Sequence, residues 1–273
     1  MRKLIYFFFS VVVLILVSCT YYQLQIEERR STREGKQPQG IPVATAPKFK
    51  AFKNIEQRKH AFFHYLKPGI KYENHRVQKE RDFLLNTKED IKSGSLSQAE
   101  IEQLAELSSL YSVKIPVEGP NLKWLDKMLY KVDVLPEALV LIQAANESAW
   151  GTSRFAREAN NYFGQWCYQK GCGLVPLARG EGMAHEVAKF KSVQQSIHRY
   201  FINVNRNLAY RKLREIRYQL RAKGQDLLSL ESAMQLTNGL TKYSERGEAY
   251  VKSLQTMIRH NQKYLQDDSV ATE

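Results

Sequence analysis

The stretch ALVLIQAANESAWG, residues 138–151, predicts the central helix of the fold. Pro136 and Glu137 stand where a first-turn proline and an acidic residue favour a helix start, and Gly151 is a stop signal after Trp150. Apolar residues cover nearly the whole circumference of this segment, a pattern typical of a buried helix. One carboxylate, Glu147, lies near the C-terminal end. Burying an acid is costly unless it is paired or has a chemical role.

The surroundings of Glu147 predict a raised pKa. Burial, the negative end of the helix dipole and the neighbouring Trp150 all disfavour the ionised carboxylate. An acid that stays protonated near neutral pH suits general acid catalysis of glycoside cleavage, in which the leaving oxygen must receive a proton. The alternative is an ion pair with a cation elsewhere in the chain, such as Arg154 or Arg157.

The rest of the second half predicts a mainly α (α+β) domain over residues 120–266. Helical periodicity with a capping box at Ser192 and Gln195 marks residues 192–208, and a last helix covers about 247–265. Between the helices, residues 160–189 are glycine-rich and irregular. This stretch has room for loops and one or two short strands, so we expect a small non-helical lobe.

Residues 48–119 predict a helical N-terminal region. Amphipathic segments are broken at Pro68-Gly69 and at Ser93-Gly94. Ser97 with Glu100 three places later forms a capping box that opens a further helix. No constellation of catalytic or metal-binding residues stands out here, and the role of this region is left open.

The first residues indicate export from the cytoplasm. Residues 1–18 show a basic start followed by an uncharged apolar run, the pattern of a signal peptide. The motif Leu16-Val17-Ser18-Cys19 resembles a bacterial lipobox and predicts a lipid on Cys19, with Thr20 favouring the outer membrane. The alternative is a signal anchor in the inner membrane. Residues 19–47 are polar and proline-containing and predict a lipid-anchored flexible tether, and residues 267–273 predict a disordered tail.

Charge and cysteine content agree with a periplasmic location. A net charge of +13 favours anionic partners, and export excludes nucleic acid, leaving the anionic cell envelope. Cys167 and Cys172, in WCYQKGCG, have the wrong spacing for a redox or zinc motif. We expect a small disulfide-closed loop in an oxidising compartment, against the alternative of two free thiols. No metal and no cofactor is implied.

Three longer segments resemble a known family. NESAWGTSRFAREANNYFGQWC, VAKFKSVQQSIHRYF and LTKYSERGEAYV are similar to the endo-β-N-acetylglucosaminidase domain of peptidoglycan hydrolases, over roughly residues 125–265. Within it, WCYQKGCG, HEVAKF and YSERG look most like the Bax-type proteins of Gram-negative bacteria. The resemblance implies a lysozyme-like fold with a glutamate at the end of a buried helix.

The resemblance also implies roles for individual residues. Glu147 matches the general acid of the family, and Tyr243 matches a late tyrosine that positions the substrate or water. A loop that shapes the cleft floor is matched by Asn160, Asn161, Phe163 and Gly164, with Trp166 beside it. Trp166 is equally suited to stacking on a sugar ring or to a structural position.

The second catalytic carboxylate is left open. Glu186 alternates with Ala188 in HEVAKF, so a strand here is expected to turn it to the cleft; Glu181 and Glu245 are the other candidates. The family also permits a mechanism in which the acetamido group of the substrate is the nucleophile. We expect a peptidoglycan hydrolase that cleaves β-1,4 bonds at N-acetylglucosamine. The alternatives are a lytic transglycosylase or muramidase, and a non-catalytic wall-binding protein.

Overall fold

The computed structural model describes Val43 and residues 45–177 and 185–266. It is mainly helical with one small antiparallel sheet, which confirms the expected fold class. The predicted signal peptide, Cys19, nearly all of the tether, the tail and Glu181 lie outside the described residues. Among the helices of the described part, none is long and apolar enough to cross a membrane.

The helices are α1 (Ile55–Asn86), α2 (Lys88–Ser93), α3 (Gln98–Tyr111), α4 (Leu122–Lys131), α5 (Glu137–Ser148), α6 (Arg154–Ala159), α7 (Val193–Arg206), α8 (Arg211–Ala222), α9 (Leu230–Thr237), α10 (Glu248–His260) and α11 (Gln262–Leu265). Short 3₁₀ turns occupy Phe49–Ala51, Leu208–Tyr210 and Asn238–Leu240. The strands are β1 (Trp166–Cys167), β2 (Gly173–Leu174) and β3 (Glu186–Ala188). They pair antiparallel in the order β1-β3-β2.

Helix α5 is the centre of the core, as its sequence predicts. Every residue from 138 to 145 is buried, and α5 packs against α1, α9 and α10. The helix ends at Ser148, two residues earlier than predicted, because Ala149, Trp150 and Gly151 all take left-handed backbone conformations. A side chain at Gly151 would meet the ring of Phe49 at 2.3 Å, so only glycine fits this turn.

The predicted helix break at Pro68-Gly69 is wrong. Helix α1 continues through both residues, because burial against the rest of the molecule outweighs the local preference of proline. Gly69 has a packing role: a Cβ there would lie 2.5 Å from Oε1 of Gln194 and 2.8 Å from Cδ1 of Ile197. The missing side chain therefore lets α7 approach α1 closely.

The capping signals are only partly matched. Ser97 and Glu100 form the complete reciprocal capping box that the sequence predicts. Ser192 accepts from the backbone N–H of Gln195, but the side chain of Gln195 accepts from the N–H of Lys191 instead of returning to Ser192. At both helix starts, a serine oxygen still accepts from a backbone N–H that would otherwise lack a partner.

Buried polar contacts tie the N-terminal helices to the start of α5. Asn74 of α1 exchanges two hydrogen bonds, of 2.8 and 2.9 Å, with the backbone of Leu135. The buried carboxylate of Asp133 accepts from Arg221 at 2.6 Å and lies 3.4 Å from Arg81. These contacts join α1 and α8 to the loop that precedes α5.

The small lobe is closed by a disulfide between Cys167 and Cys172, so that prediction is confirmed. In the sheet, Trp166 lies opposite Val187, and Cys167 lies opposite Glu186. Successive strand residues face opposite sides, so Trp166 and Glu186 belong to different faces of the lobe.

Candidate active site

Glu147 lies on the wall of an open cavity of about 370 Å³, which we call the Glu147 cavity. Its lining includes five aromatic side chains, those of Phe163, Trp166, Tyr200, Tyr210 and Tyr243. The side chain of Glu147 is half-buried, which leaves part of the carboxylate accessible from the cavity. An acid in this position can reach a bound ligand while remaining shielded from bulk water.

A buried hydrogen-bond chain holds the carboxylate from behind. The Tyr200 hydroxyl donates to Oε1 of Gln143, and Nε2 of Gln143 donates to the Tyr250 hydroxyl at 3.1 Å. Tyr250 in turn donates to Oε1 of Glu147 at 2.9 Å. Tyr200, Gln143 and Tyr250 are all buried, so the chain fixes the Glu147 side chain through groups that water does not reach.

The pKa of Glu147 is raised above its ordinary value. Burial is the largest cause, because it penalises the charged form. The hydrogen bonds from Tyr250 and Asn146 and the charge of Arg246 act in the opposite direction and offset only part of the effect. This raised pKa agrees with the sequence prediction and favours Glu147 as a proton donor.

The predicted alternative, an ion pair with a nearby arginine, is not formed. Arg154 donates to the carbonyl of Val175, and Arg157 donates to the carbonyl of Thr152. Their nearest acid is Glu158, at 3.9 Å from each. Neither guanidinium therefore neutralises Glu147.

The second oxygen of Glu147 faces Gly164. A Cβ built on Gly164 would lie 3.4 Å from Oε2, and the φ of this glycine is +61°. Hydrogen bonds from the described residues reach Oε1 but not Oε2. Gly164 therefore keeps the backbone close to the acid, and Oε2 is free of hydrogen bonds from the described residues.

Tyr243 lines the same cavity, where its sequence match placed it. Its hydroxyl donates to the carbonyl of Phe163 at 3.0 Å, and its ring stacks on Tyr250 with centroids 5.3 Å apart. Burial raises the pKa of Tyr243 well above 10, and the charge of Glu147 adds to the shift. The phenol therefore stays neutral at physiological pH and can hold the Phe163–Gly164 loop against the acid.

The asparagines of the loop have structural positions. The fully buried amide of Asn161 donates to the carbonyls of Gln165 and Ala188, both at 2.9 Å. Asn160 ends α6 in a left-handed conformation and donates to Phe190 at 3.0 Å. Neither residue lines the Glu147 cavity, and their hydrogen bonds support the loop that follows them.

Phe163 and Trp166 do line the cavity, in different ways. Phe163 is buried and stacks on Tyr200 with centroids 4.2 Å apart, so it forms part of the wall. Trp166 is 55% exposed, and its ring stacks on His185 at 4.0 Å. Of the two readings of Trp166, this exposure favours the sugar-stacking one over burial in the core.

Glu186 does not face the cleft, so the predicted orientation is wrong. Its buried carboxylate accepts from the backbone N–H of Gly171 at 3.0 Å and of Gly173 at 2.8 Å. Because Glu186 pairs with Cys167, strand alternation turns it into the disulfide loop. Glu245 is exposed beside Tyr243 and is not part of the cavity lining. Glu181 lies outside the described residues.

Cys167, Cys172 and Glu186 bring ligand-type atoms within 4.8 Å of one another. The two sulfurs are bonded to each other, so they cannot act as thiolate ligands. Glu186 already accepts two backbone hydrogen bonds there. We therefore interpret this cluster as a structural closure of the lobe.

The site also contains Gln143 and Tyr250, which the sequence analysis did not single out. Two signals were present: Gln143 is a polar residue one turn before Glu147 in an otherwise apolar helix, and Tyr250 follows Tyr243 in the motif YSERGEAYV. A buried polar side chain without an evident partner is a signal for such a network.

Comparison with known proteins agrees with this geometry. The family described as mannosyl-glycoprotein endo-beta-N-acetylglucosaminidase matches residues 123–263. Protein bax of Escherichia coli (strain K12) is 31% identical over 222 residues, covering 81% of this chain and 76% of that protein. No solved structure gave a significant match. The matched range holds the Glu147 helix, the lobe and Tyr250, and it confirms the resemblance predicted from the motifs.

Proposed function

This chain belongs to the mannosyl-glycoprotein endo-β-N-acetylglucosaminidase family, and from that premise we propose that it hydrolyses peptidoglycan. The family supports a glycosidase role in general. The more specific proposal is cleavage of β-1,4 glycosidic bonds at N-acetylglucosamine in the glycan strand, with Glu147 as general acid.

The observation that carries the proposal is the environment of Glu147. Its Oε1 accepts a hydrogen bond from Tyr250, its Oε2 accepts none from the described residues, and burial raises its pKa. A carboxylic acid must be protonated and aimed at the leaving oxygen when a glycosidic bond breaks. We propose that these three features keep Glu147 protonated in the resting enzyme and direct its proton toward the leaving oxygen.

The neighbouring tyrosines are suited to holding the sugar in place during the reaction. An oxocarbenium-like transition state needs the sugar to be held in place while charge develops on it. The neutral phenols of Tyr243 and Tyr210 lie in the same cavity as Glu147. We propose that Tyr243 keeps the Phe163–Gly164 loop in place and helps to position the reacting sugar or water.

Two routes remain for the second half of the reaction. In the described residues, Glu147 is the only carboxylate of the cavity lining. Glu181, outside those residues, is one candidate for activating water. The acetamido group of the substrate is the other, and it would need no second protein carboxylate.

A lytic transglycosylase is the second candidate function. The observation that favours it is the same single carboxylate in the described lining, because one acid suffices for that chemistry. The experiment is digestion of purified sacculi by the full-length chain, with the products identified by mass spectrometry. Reducing N-acetylglucosamine ends support the glucosaminidase, reducing muramic acid ends support a muramidase, and anhydro sugars support the transglycosylase.

We further propose that the enzyme acts in the periplasm on a lipid anchor at Cys19, with the outer membrane as its site. The lipobox-like sequence supports the anchor. The basic charge of the chain supports attraction to an anionic wall.

A further inference from the structure

A second, wider depression continues from the Glu147 cavity. It measures about 910 Å³, and we call it the arginine groove; its lining includes Trp166, Tyr168, Arg199, Asn203, Arg206 and Asn207. Trp166, Asn203 and Asn207 also line the Glu147 cavity. The two spaces therefore share a wall, and a chain of linked sugars lying in one can extend into the other.

Helix α7 supplies the polar side of both spaces. Arg199, Asn203 and Arg206 lie at helical spacing along one face of α7, with Asn207 directly after its end. Residues three, four and seven apart share a face of an α-helix. The position of the two arginines relative to Glu147 is thus fixed by one rigid element of the core.

The arginine groove carries uncompensated positive charge. Its described lining includes two arginines and no acidic side chain. Within the described part of the chain, neither guanidinium takes part in an ion pair, and Arg206 makes only a long bond of 3.4 Å to the carbonyl of Leu110. Burial and the nearby charge of Arg199 lower the pKa of Arg206. Two neighbouring cations without an acid are stabilised by an anion placed between them.

The same groove has exposed aromatic side chains, of which Trp166 already stacks one face on His185. Trp166 is 55% exposed and Tyr168 is 74% exposed. Sugar rings pack their apolar faces on such side chains, while a carboxylate binds a guanidinium through charge-assisted hydrogen bonds. A ligand that satisfies both features is a sugar carrying a carboxylate.

We propose that the arginine groove is a subsite for an acidic sugar of the substrate strand, with Arg199 and Arg206 binding its carboxylate and Trp166 its ring. This inference rests on the proposed function and narrows the substrate class. The preferred substrate is a glycan whose alternate sugars bear carboxylates, rather than a neutral polymer of N-acetylglucosamine. The carboxylate is that of the lactyl group, which is free on sugars that carry no stem peptide.

Binding to defined glycans tests the subsite without requiring turnover. The full-length Glu147→Gln chain is titrated calorimetrically with peptide-free peptidoglycan strands, with the same strands after amidation of their carboxylates, and with N-acetylglucosamine hexamer. We expect the carboxylate strands to bind about tenfold more tightly than the amidated ones, as for a partly exposed charged contact. Adding Arg199→Gln and Arg206→Gln should remove that preference, so that carboxylate and amidated strands bind equally tightly.

The matched control carries Lys79→Gln and Lys88→Gln, which remove two exposed charges away from the groove. Arg199→Gln alone serves as a second variant, because Arg199 is exposed and its replacement spares the Leu110 contact. Equal affinity of the background chain for carboxylate and amidated strands would overturn the proposal. So would a carboxylate preference that survives in the double arginine variant but not in the lysine control.

Strands that retain their peptides test the position of the carboxylate, because their lactyl carboxyl is bound in an amide. A preference for unmodified over amidated strands that is confined to the peptide-bearing strands would place the carboxylate on the peptide and overturn the proposal. Cleavage by the unmutated chain is measured in parallel on sacculi. Failure to cleave would reject the proposed hydrolase, whereas loss of the binding preference alone would reject only the subsite.

Discussion

The phenol of Tyr250 donates a 2.9 Å hydrogen bond to Oε1 of Glu147, from a position 103 residues later in the chain. This bond joins the last long helix, α10, to the end of the buried helix α5. Behind it, Gln143 donates to the same phenol, so Tyr250 cannot turn away without breaking a second buried bond. Buried side chains of the core therefore hold Glu147, the proposed acid, in place.

Tyr250→Phe should move the alkaline limb of the pH–rate profile to higher pH. The hydrogen bond favours the ionised carboxylate, so its loss raises the pKa of Glu147 further. A charge-assisted bond corresponds to a shift of about one pH unit. The measurement is kcat/KM against pH, with Tyr218→Phe as control because Tyr218 lies outside the Glu147 cavity. An unchanged profile would show that Tyr250 does not tune the acid.

Gly164→Ala should reduce activity more than it reduces stability. The φ of +61° disfavours alanine by about 1 to 2 kcal/mol, and the new methyl would lie 3.4 Å from Oε2 of Glu147. Gly224→Ala is the matched control, since its φ is +68° and nothing lies within 4 Å of the added Cβ. Both variants should lose similar stability in thermal unfolding, but only Gly164→Ala should lose turnover. Equal turnover in the two variants would contradict the role given to Oε2.

The disulfide should matter for the lobe that carries Trp166. Cys167 and Cys172 close a short loop, and the chain-entropy estimate for such a loop is about 2 kcal/mol. The double variant Cys167→Ala/Cys172→Ala should unfold at a lower denaturant concentration and bind glycan more weakly. Dithiothreitol should have the same effect on the unmutated chain and none on the variant. A reductant effect that persists in the variant would point to another cause.

Cys19→Ser tests the proposed lipid anchor. If Cys19 is acylated, the unmutated chain expressed in a Gram-negative host incorporates radiolabelled palmitate and fractionates with the outer membrane. The serine variant should incorporate no label. Absence of label from both chains would favour the signal-anchor alternative, and label in the variant would place the lipid on another residue.

Glu147→Gln should leave the chain at least as stable as the unmutated protein at neutral pH. The pKa of Glu147 is raised in the folded chain, so the unfolded chain ionises more readily, and stability falls as the pH rises through the folded pKa. Glutamine removes that cost. Below the unfolded pKa the stabilities should converge. A large destabilisation at neutral pH would mean that the carboxylate is structural.

The sequence predicted the elements whose signals are local. The buried helix around Glu147 follows from its apolar circumference, and the disulfide follows from two closely spaced cysteines in a chain whose sequence predicts export. The break at Pro68-Gly69 was predicted wrongly because a local helix breaker was outweighed by packing that brings Gln194 against Gly69. No local pattern encodes that contact.

In the candidate site, too, the residues marked by a local motif were predicted, and those placed by tertiary contacts were not. Glu147 and Tyr243 were found because each matches a motif, and the structure places both at one cavity. The orientation of Glu186 was missed, since strand alternation fixes a face only once the pairing partner is known. The pairing of Cys167 with Glu186 sets that face. The Tyr200–Gln143–Tyr250 chain joins three distant segments, and only the tertiary structure reveals it.

Release of reducing N-acetylglucosamine ends from purified sacculi, by the full-length chain and by Glu147→Gln, tests the central claim most directly. We predict steady release by the unmutated chain and a loss of at least about 100-fold in the variant, the usual contribution of a general acid. Thermal unfolding of both proteins confirms that the variant is folded. Equal release by the two proteins would contradict the assignment of Glu147 as the catalytic acid.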